Sequence, residues 1–339
     1  MRRRRILVMI PAEHDPLPVD LTGLSELEIA PFKTEYDVVA TLESLGHEVA
    51  TVGVDDDLGV IQAAVDEFRP HVVFNLVEEF AHRGTNVAYL LGYLELIGQS
   101  YTGCNPVGMM LSNDKAMQRK ILRHHRIRTP DFVIVRLGRR VRRPRRLQFP
   151  LIVKALTLHG SVGISQASVV HDDDHLDERV RFMHEHTGDH VIVEQFIEGR
   201  ELYVGMLGNR RIETFPIWEL HVPNRREGSP LIATGKLKWD LRYQDRVGVK
   251  TGVASSLPEA LEARIISVCK RAYRVLQQTG YCRMDLRLDE TGRAWLIESN
   301  PNPQLSFGED FAESAEAYGL EYPALLQRIV NLGLRYRVE

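Results

Sequence analysis

The sequence has 339 residues, a formal net charge of −3 and 44% hydrophobic residues. This length fits two or three domains, and the small net charge excludes a general attraction to nucleic acid. The apolar run at residues 6–10 is too short for a membrane span or a secretory leader. The three cysteines have neither metal-site nor disulfide spacing. We therefore expect a cytoplasmic protein with reduced thiols and no membrane partner.

The first third of the chain alternates predicted strands and helices. Apolar runs predict strands at residues 6–10, 49–52 and 71–74, and helical spacing predicts helices at residues 34–45 and 60–68. This alternating order indicates a parallel sheet with right-handed crossovers. No Gly-x-Gly-x-x-Gly follows the first strand, which excludes the usual dinucleotide fingerprint. Residues 1–103 are therefore predicted to form an N-terminal α/β domain.

The remaining residues predict two further domains of mixed strands and helices. Apolar runs predict strands at residues 132–135, 151–154, 164–170, 191–196, 201–207 and 212–217. Helices are expected at residues 116–124, 178–186, 258–278 and 322–332, the first of them capped by Asn113 or Asp114. Residues 283–288 and 294–297 predict a hairpin. We place a small central domain at residues 104–195 and a C-terminal α+β domain at residues 196–339.

Two clusters of basic residues occur, at residues 2–5 and 136–146. No aromatic residues are interleaved with them as stacking platforms for bases. Blocks of like charge are usually solvated. We expect an exposed terminus and an exposed linker, and no nucleic-acid partner.

The predicted C-terminal hairpin carries alternating polar side chains. Arg283 and Asp285 lie two residues apart in its first strand, and Glu298 and Asn300 are spaced in the same way at the end of its second strand. Because strand side chains alternate, each pair projects from one face. Oxygen ligands of this kind suit magnesium, with phosphates completing its coordination. A cross-strand ion pair between Arg283 and Glu298, with no metal, is an equally good interpretation of these four residues.

Lys154 ends an apolar strand and is followed by a loop that contains Gly160, Ser161 and Gly163. Small residues let backbone amides approach an anion, so this arrangement indicates a phosphate site. The Gly-x-x-x-x-Gly-Lys-Ser/Thr pattern is absent, which excludes a P-loop. The alternative is a surface hairpin with a solvated lysine.

Glu194 lies at the end of another apolar strand, and Glu201 follows seven residues later. A carboxylate next to free backbone groups can hold an adenine edge, and a second carboxylate can accept from ribose hydroxyls. The alternative is a turn flanked by solvated acidic residues.

Taken in order, these segments resemble the ATP-grasp superfamily and, within it, the D-alanine–D-alanine ligases. The resemblance covers nearly the whole chain. The matching segments are residues 92–103, 113–115, 149–154 with 160–163, 193–201, 238–239, 283–285 and 296–301. It implies an ATP-grasp fold in which an N-terminal parallel α/β domain precedes a nucleotide-flap domain and a C-terminal α+β domain.

The resemblance also implies a role for each candidate residue. ATP would contact Lys115, Lys154, Gly160, Ser161, Gly163, Glu194, Gln195, Phe196, Ile197, Glu201 and Lys238. Two magnesium ions, for which manganese is a possible substitute, would bind Asp285, Glu298 and Asn300. The implied catalytic residues are Arg283, which would stabilise the tetrahedral oxyanion, Lys238, which would reach the γ-phosphate from a loop at residues 219–250, and Ser161.

The function implied is an ATP-dependent ligase that joins a small carboxylate to an amine through an acyl-phosphate. The chain departs from the family pattern at residues 11–16, 76–80 and 300–306, and it has Gly160 at the family's serine position and Trp239 at its tyrosine position. We therefore expect an amino-acid or peptide ligase with different substrates, and Glu78, Glu79 and Ser306 are candidates on the acceptor side. A genuine D-alanine–D-alanine ligase, an ATP-grasp phosphotransferase and a catalytically silent binding module are the alternatives. The family also implies a possible homodimer.

Overall fold

The computed structural model describes residues 2–226 and 228–338, without the side chains of Lys238, Trp239 and Leu241. The strands are β1 (Arg5–Pro11), β2 (Glu48–Val54), β3 (Val72–Asn75), β4 (Phe132–Val135), β5 (Leu151–Ala155), β6 (Val169–Val170), β7 (Val191–Gln195), β8 (Arg200–Leu207), β9 (Glu213–Thr214), β10 (Trp218–His221), β11 (Lys250–Val253), β12 (Tyr281–Leu288) and β13 (Ala294–Pro301). The helices are α1 (Glu26–Ile29), α2 (Lys33–Ser44), α3 (Leu58–Phe68), α4 (Val87–Leu96), α5 (Pro106–Asn113), α6 (Lys115–His124), α7 (Asp173–Thr187), α8 (Gly235–Trp239), α9 (Leu241–Val247), α10 (Glu259–Val275), α11 (Asp310–Ala317) and α12 (Tyr322–Arg335).

The N-terminal sheet has the strand order β2-β1-β3, and both strand pairs are parallel, as predicted. Its apolar strands are buried because helices cover the sheet. One of these covering helices is the C-terminal α12, whose Leu325 and Ile329 pack into one cluster with Ile6 and Val8 of β1. The last helix of the chain therefore completes the core of the first domain.

The central sheet is antiparallel, with the order β4-β7-β5-β6, and α7 packs against β5. The predicted strand at residues 164–170 is wrong except for its last two residues. Residues Gln166–Ser168 form a 3₁₀ helix, and the Ser168 hydroxyl accepts from the Ser165 backbone amide at 3.0 Å. Serine side chains that bond to nearby backbone compete with strand pairing, which explains the error.

The C-terminal sheet has the order β11-β10-β8-β12-β13, with β9 on β8. The predicted strand at residues 212–217 is wrong except for Glu213–Thr214, because Pro216 has no N–H for a strand ladder. The segment expected to be a loop, residues 219–250, contains most of β10 and both α8 and α9. Helix α10 covers this sheet, and Leu122 of α6 belongs to the same core.

Helix α6 begins as predicted, because the Asp114 carboxylate accepts from the amides of Ala116 and Met117. The three cysteines are free and buried. In the part of the chain that the structure describes, no helix is long and apolar enough to cross a membrane.

Gly280, just before β12, lies against the backbone of residue 103. Its φ is +71°, and a Cβ atom there would lie 2.3 Å from the carbonyl oxygen of Gly103. We expect Gly280→Ala to lower the free energy of unfolding by about 2–5 kcal/mol, from left-handed backbone strain and overpacking together. Urea unfolding measures this. The control is Gly319→Ala, where φ is +89° but no heavy atom lies within 4 Å. Equal losses in both variants would contradict the close approach.

Candidate active site

A cleft of about 930 Å³, counting the part that opens to solvent, lies between the central and C-terminal sheets. Twelve of the predicted site residues line it: Lys115, Lys154, Gly160, Ser161, Glu194, Gln195, Phe196, Ile197, Glu201, Asp285, Glu298 and Asn300. Arg283 and Gly163 are not among the residues that line the cleft. A Cβ at Gly163 would meet the Sδ atom of Met183 at 2.9 Å. The Lys238 side chain lies outside the described residues. The predicted convergence of lysines and oxygen ligands on one cleft is therefore observed.

The hairpin of β12 and β13 places three polar side chains together. The Arg283 guanidinium donates to both carboxylate oxygens of Asp285, at 2.8 and 2.9 Å, and Asn300 Nδ2 donates to Asp285 Oδ2 at 3.0 Å. The expected alternative, an Arg283–Glu298 ion pair, is wrong. In the observed register Arg283 lies opposite Asn300, and Asp285 lies opposite Glu298. Arg283 and Asp285 are two residues apart on one strand, so their side chains lie on the same face. Arg283 is also stacked over the Tyr203 ring, 4.6 Å from the ring centroid.

Glu298 faces two cationic or proton-donating groups across the cleft. Lys115 Nζ lies 3.5 Å and His159 Nδ1 lies 3.1 Å from Glu298 Oε1. Burial alone raises a carboxyl pKa, but the Lys115 charge and the His159 hydrogen bond hold the pKa of Glu298 well below its usual value. Glu298 is therefore ionised at neutral pH and available to a cation.

The donor set of Asp285, Glu298 and Asn300 fits a hard cation such as Mg²⁺. The described residues contain no group of three or more His, Cys, Asp or Glu side chains able to hold a metal. The candidate set is instead two carboxylates and one amide oxygen, and all three side chains line the same cleft. Oxygen ligands with room for phosphate oxygens are typical of Mg²⁺ sites.

Lys154 lies beside a buried ion pair that the sequence analysis missed. Arg119 Nη2 contacts Glu194 Oε2 at 2.6 Å, and Lys154 Nζ lies 3.8 Å from the same oxygen. Burial lowers the pKa of Lys154, the Glu194 charge opposes this, and the nearby Arg119 charge adds to the lowering. The Arg119–Glu194 ion pair therefore holds the Glu194 carboxylate next to the Lys154 ammonium. The one available sequence signal was that Arg119 follows Lys115 by four residues, on the same face of α6.

The end of the cleft predicted to hold adenine and ribose is lined partly by apolar side chains. Two of its backbone amides are already bonded within the protein, Gln195 N to Asp131 O at 2.8 Å and Phe196 N to Pro150 O at 3.0 Å. Glu201 accepts from Arg287 Nη2 at 2.5 Å and from the Tyr203 hydroxyl at 3.0 Å. Arg287, which also lines the cleft, was not identified from the sequence.

The glycine-rich loop has left-handed backbone at Gly160, Ser161 and Gly163, with φ of +67°, +63° and +68°. Such angles are easy for glycine and strained for serine. The Ser161 hydroxyl donates to the Ala233 carbonyl at 2.7 Å, which connects this loop to the segment before α8. Lys115 Nζ donates to the Leu158 carbonyl at 2.6 Å at the start of the loop.

The three acceptor-side candidates lie towards the N-terminal domain. Ser306 is buried and shares a 2.6 Å hydrogen bond with the Thr34 hydroxyl. Glu78 and Glu79 are exposed after β3, and Glu78 lines a separate smaller recess next to the main cleft.

Comparison with known proteins gives one consistent result. The family model described as the D-ala D-ala ligase C-terminus matches residues 121–331. A D-alanine–D-alanine ligase of Bordetella petrii is 32% identical over 71% of this chain and 70% of its own length. An uncharacterized protein of Sinorhizobium fredii is 29% identical over 88% of this chain and 86% of its own. The crystal structure of Bacillus anthracis D-alanine–D-alanine ligase complexed with ATP matches with a TM-score of 0.75, at 22% identity and 98% coverage of both chains.

Proposed function

Because the chain belongs to the D-alanine–D-alanine ligase family of the ATP-grasp superfamily, and is an ATP-dependent ligase that forms C–N bonds, we propose that it joins a carboxylate to an amine through an acyl-phosphate, with substrates other than two D-alanines. The observation that carries this proposal is the single cleft that collects Lys115, Lys154, Asp285, Glu298 and Asn300.

In the first step a carboxylate oxygen of the substrate attacks the γ-phosphorus of ATP, and ADP leaves. This transfer needs positioning and charge neutralisation more than covalent help from the protein. In this proposal Lys115 and Lys154 hold phosphate oxygens. Asp285, Glu298 and Asn300 would hold Mg²⁺, which when bound neutralises phosphate charge.

In the second step the amine attacks the acyl carbon, the phosphate leaves and the nitrogen loses a proton. Negative charge develops on the acyl oxygen, so a fixed cation there lowers the barrier. Arg283 has that role in the proposal. Its contacts with Asp285 and the Tyr203 ring hold the guanidinium in place without help from substrate.

The first alternative is a genuine D-alanine–D-alanine ligase, which the D-alanine–D-alanine ligases among the relatives favour. Against it stand the substrate-end segments, residues 76–80 and 300–306, which depart from the expected pattern. The second alternative, a phosphotransferase, leaves Arg283 without a role. A cytoplasmic location and a homodimer remain predictions.

The test is a matrix of carboxylates and amines scored for ADP, with the pair of D-alanines included and Glu298→Gln as the blank. The proposal expects ADP release only when both a carboxylate and an amine are present. It also expects one ¹⁸O atom of a labelled carboxylate to appear in the released phosphate. A phosphorylated product without an amide would contradict it, and efficient turnover with D-alanine alone would favour the first alternative.

Glu201→Gln is expected to raise the KM for ATP by about tenfold, with little change in kcat. Its carboxylate is the ribose acceptor in this proposal, and loss of one charge-assisted hydrogen bond has this magnitude. Steady-state kinetics with varied ATP measures it. Glu198→Gln, an exposed carboxylate on the preceding turn, is the control. A kcat loss with an unchanged KM would place Glu201 outside the nucleotide site.

A further inference from the structure

A second recess, of about 270 Å³ counting its open part, lies on the same hairpin as the active-site cleft, because Asn302 lines the recess and Asn300 lines the cleft. It is lined by Asn75 and Glu78 at the end of β3 and by the loop that follows β13. Two of its lining residues belong to the hairpin or directly follow it. Tyr281 lies on β12 two residues before Arg283, and Asn302 follows β13 two residues after Asn300. Two strand residues span about 7 Å. A substrate that reacts beside Arg283 therefore reaches this recess with a short side chain.

Asn75 leaves a hydrogen-bond donor without a partner at this recess. The residue is 1% exposed, and its Oδ1 accepts from the Val77 amide at 3.2 Å, which fixes the orientation of the side-chain amide. Within the described residues, Nδ2 of Asn75 is buried and has no partner. A buried donor without a partner is costly, so each one in a folded protein needs an explanation. An oxygen atom of a bound ligand would provide one.

The charges around the recess are predominantly acidic. Glu78 lines it, and the carboxylates of Glu35 and Glu79 add negative charge nearby. The nearby basic side chains already have acidic partners: His14 Nδ1 lies 3.1 Å from Glu35, and Lys33 Nζ lies 2.5 Å from Asp37. No lysine or arginine is among the described residues that line the recess. The Glu78 carboxylate would therefore be stabilised most by a ligand that carries positive charge.

We propose that this recess binds the positively charged group of a substrate, with Glu78 as its counter-charge and Asn75 donating to a neighbouring substrate oxygen. Every amino acid supplies carboxylate oxygens, but only one with a basic side chain still carries a cation for the recess while its α-amino group reacts in the main cleft, so a basic amino acid is the substrate class assigned to this ligase. The assignment rests on the proposed function, because it places the reacting groups in the main cleft.

The test compares ornithine with norleucine, whose side chains have the same number of heavy atoms and differ in charge. Each enantiomer is titrated calorimetrically into the full chain in the presence of Mg²⁺ and a non-hydrolysable ATP analogue. We expect ornithine of one configuration to bind at least about tenfold more tightly than norleucine, as one charge-assisted contact implies. Glu78→Gln is expected to remove this ratio by weakening ornithine alone. The matched control is Glu43→Gln, an exposed carboxylate on α2 of the same domain, which should leave the ratio intact.

Equal affinities for the two probes, absence of binding by ornithine, or a ratio that survives Glu78→Gln would each overturn the proposal. The proposed function fails in a different way. If ornithine binds through Glu78 but no carboxylate and amine pair gives ADP, the recess assignment stands and the ligase proposal falls. If amide forms readily from uncharged pairs and ornithine gives no advantage, the ligase proposal stands and the basic substrate class falls.

Discussion

Replacing Glu298 with glutamine is expected to reduce ATP-dependent ligation by about 10²–10³-fold, the usual cost of removing one group that stabilises charge at a reacting centre. The carboxylate lies within 3.5 Å of Lys115 and contacts His159. It is also one of the three oxygen ligands assigned to Mg²⁺. The substitution keeps the shape of the side chain and removes its charge, so Lys115, which is nearly buried, loses its counter-charge.

ADP release at saturating ATP measures this effect. Glu290→Gln is the matched control, because Glu290 is an exposed carboxylate on the turn of the same hairpin. Urea unfolding of both variants separates lost chemistry from lost folding. Activity within about tenfold of the unsubstituted protein would contradict the role given to Glu298.

Replacing Arg119 with methionine is expected to lower the free energy of unfolding by about 3–5 kcal/mol, the usual cost of breaking a buried ion pair. The Arg119 side chain is fully buried and contacts Glu194 at 2.6 Å. Removing it leaves the Glu194 carboxylate buried, with Lys154 at 3.8 Å and the more distant Lys115 as cationic neighbours. Methionine is unbranched and apolar but two atoms shorter than arginine, so the loss reports on the charge together with some lost packing.

The measurement is urea unfolding of Arg119→Met, Glu194→Gln and the double variant. The double variant should be clearly more stable than the sum of the single losses predicts, because the two groups contact each other. The matched control is Arg123→Met, one helical turn further along α6. Arg123 is 40% exposed, and its ion pair with Asp131 should contribute at most about 1 kcal/mol. Equal losses for Arg119→Met and Arg123→Met would show that the buried pair does not stabilise the fold.

Much of the fold could be predicted from local pattern. Continuous apolar runs predicted β1 and β4 to within a residue at each end. The two-residue spacings of Arg283 with Asp285 and of Glu298 with Asn300 predicted the polar face of the last hairpin. Local pattern failed at residues 164–170 and 212–217, where serine side chains and a proline interrupt pairing. The start of α6 could be predicted from Asp114, because an N-cap side chain bonds to amides only two or three residues further along the chain.

The partners of the site residues could not be predicted in the same way. Arg119 and Arg287 contact Glu194 and Glu201, which lie 75 and 86 residues away in sequence. Hydrophobic periodicity carries no information about which charged side chains contact each other when they lie so far apart in sequence. The sequence therefore identified the two carboxylates but not the arginines that hold them, and it offered Glu298 as a partner for Arg283 where the structure has Asp285.

In the proposed function one cleft holds the triphosphate between Lys115, Lys154 and the three oxygen ligands. Diffraction from crystals grown with Mg²⁺ and a non-hydrolysable ATP analogue tests it most directly. We expect phosphate oxygens within about 4–6 Å of Lys154 Nζ, the range in which opposite charges interact strongly, and Mg²⁺ beside Asp285, Glu298 and Asn300. A nucleotide bound elsewhere, or phosphates turned away from Lys154, would contradict the account.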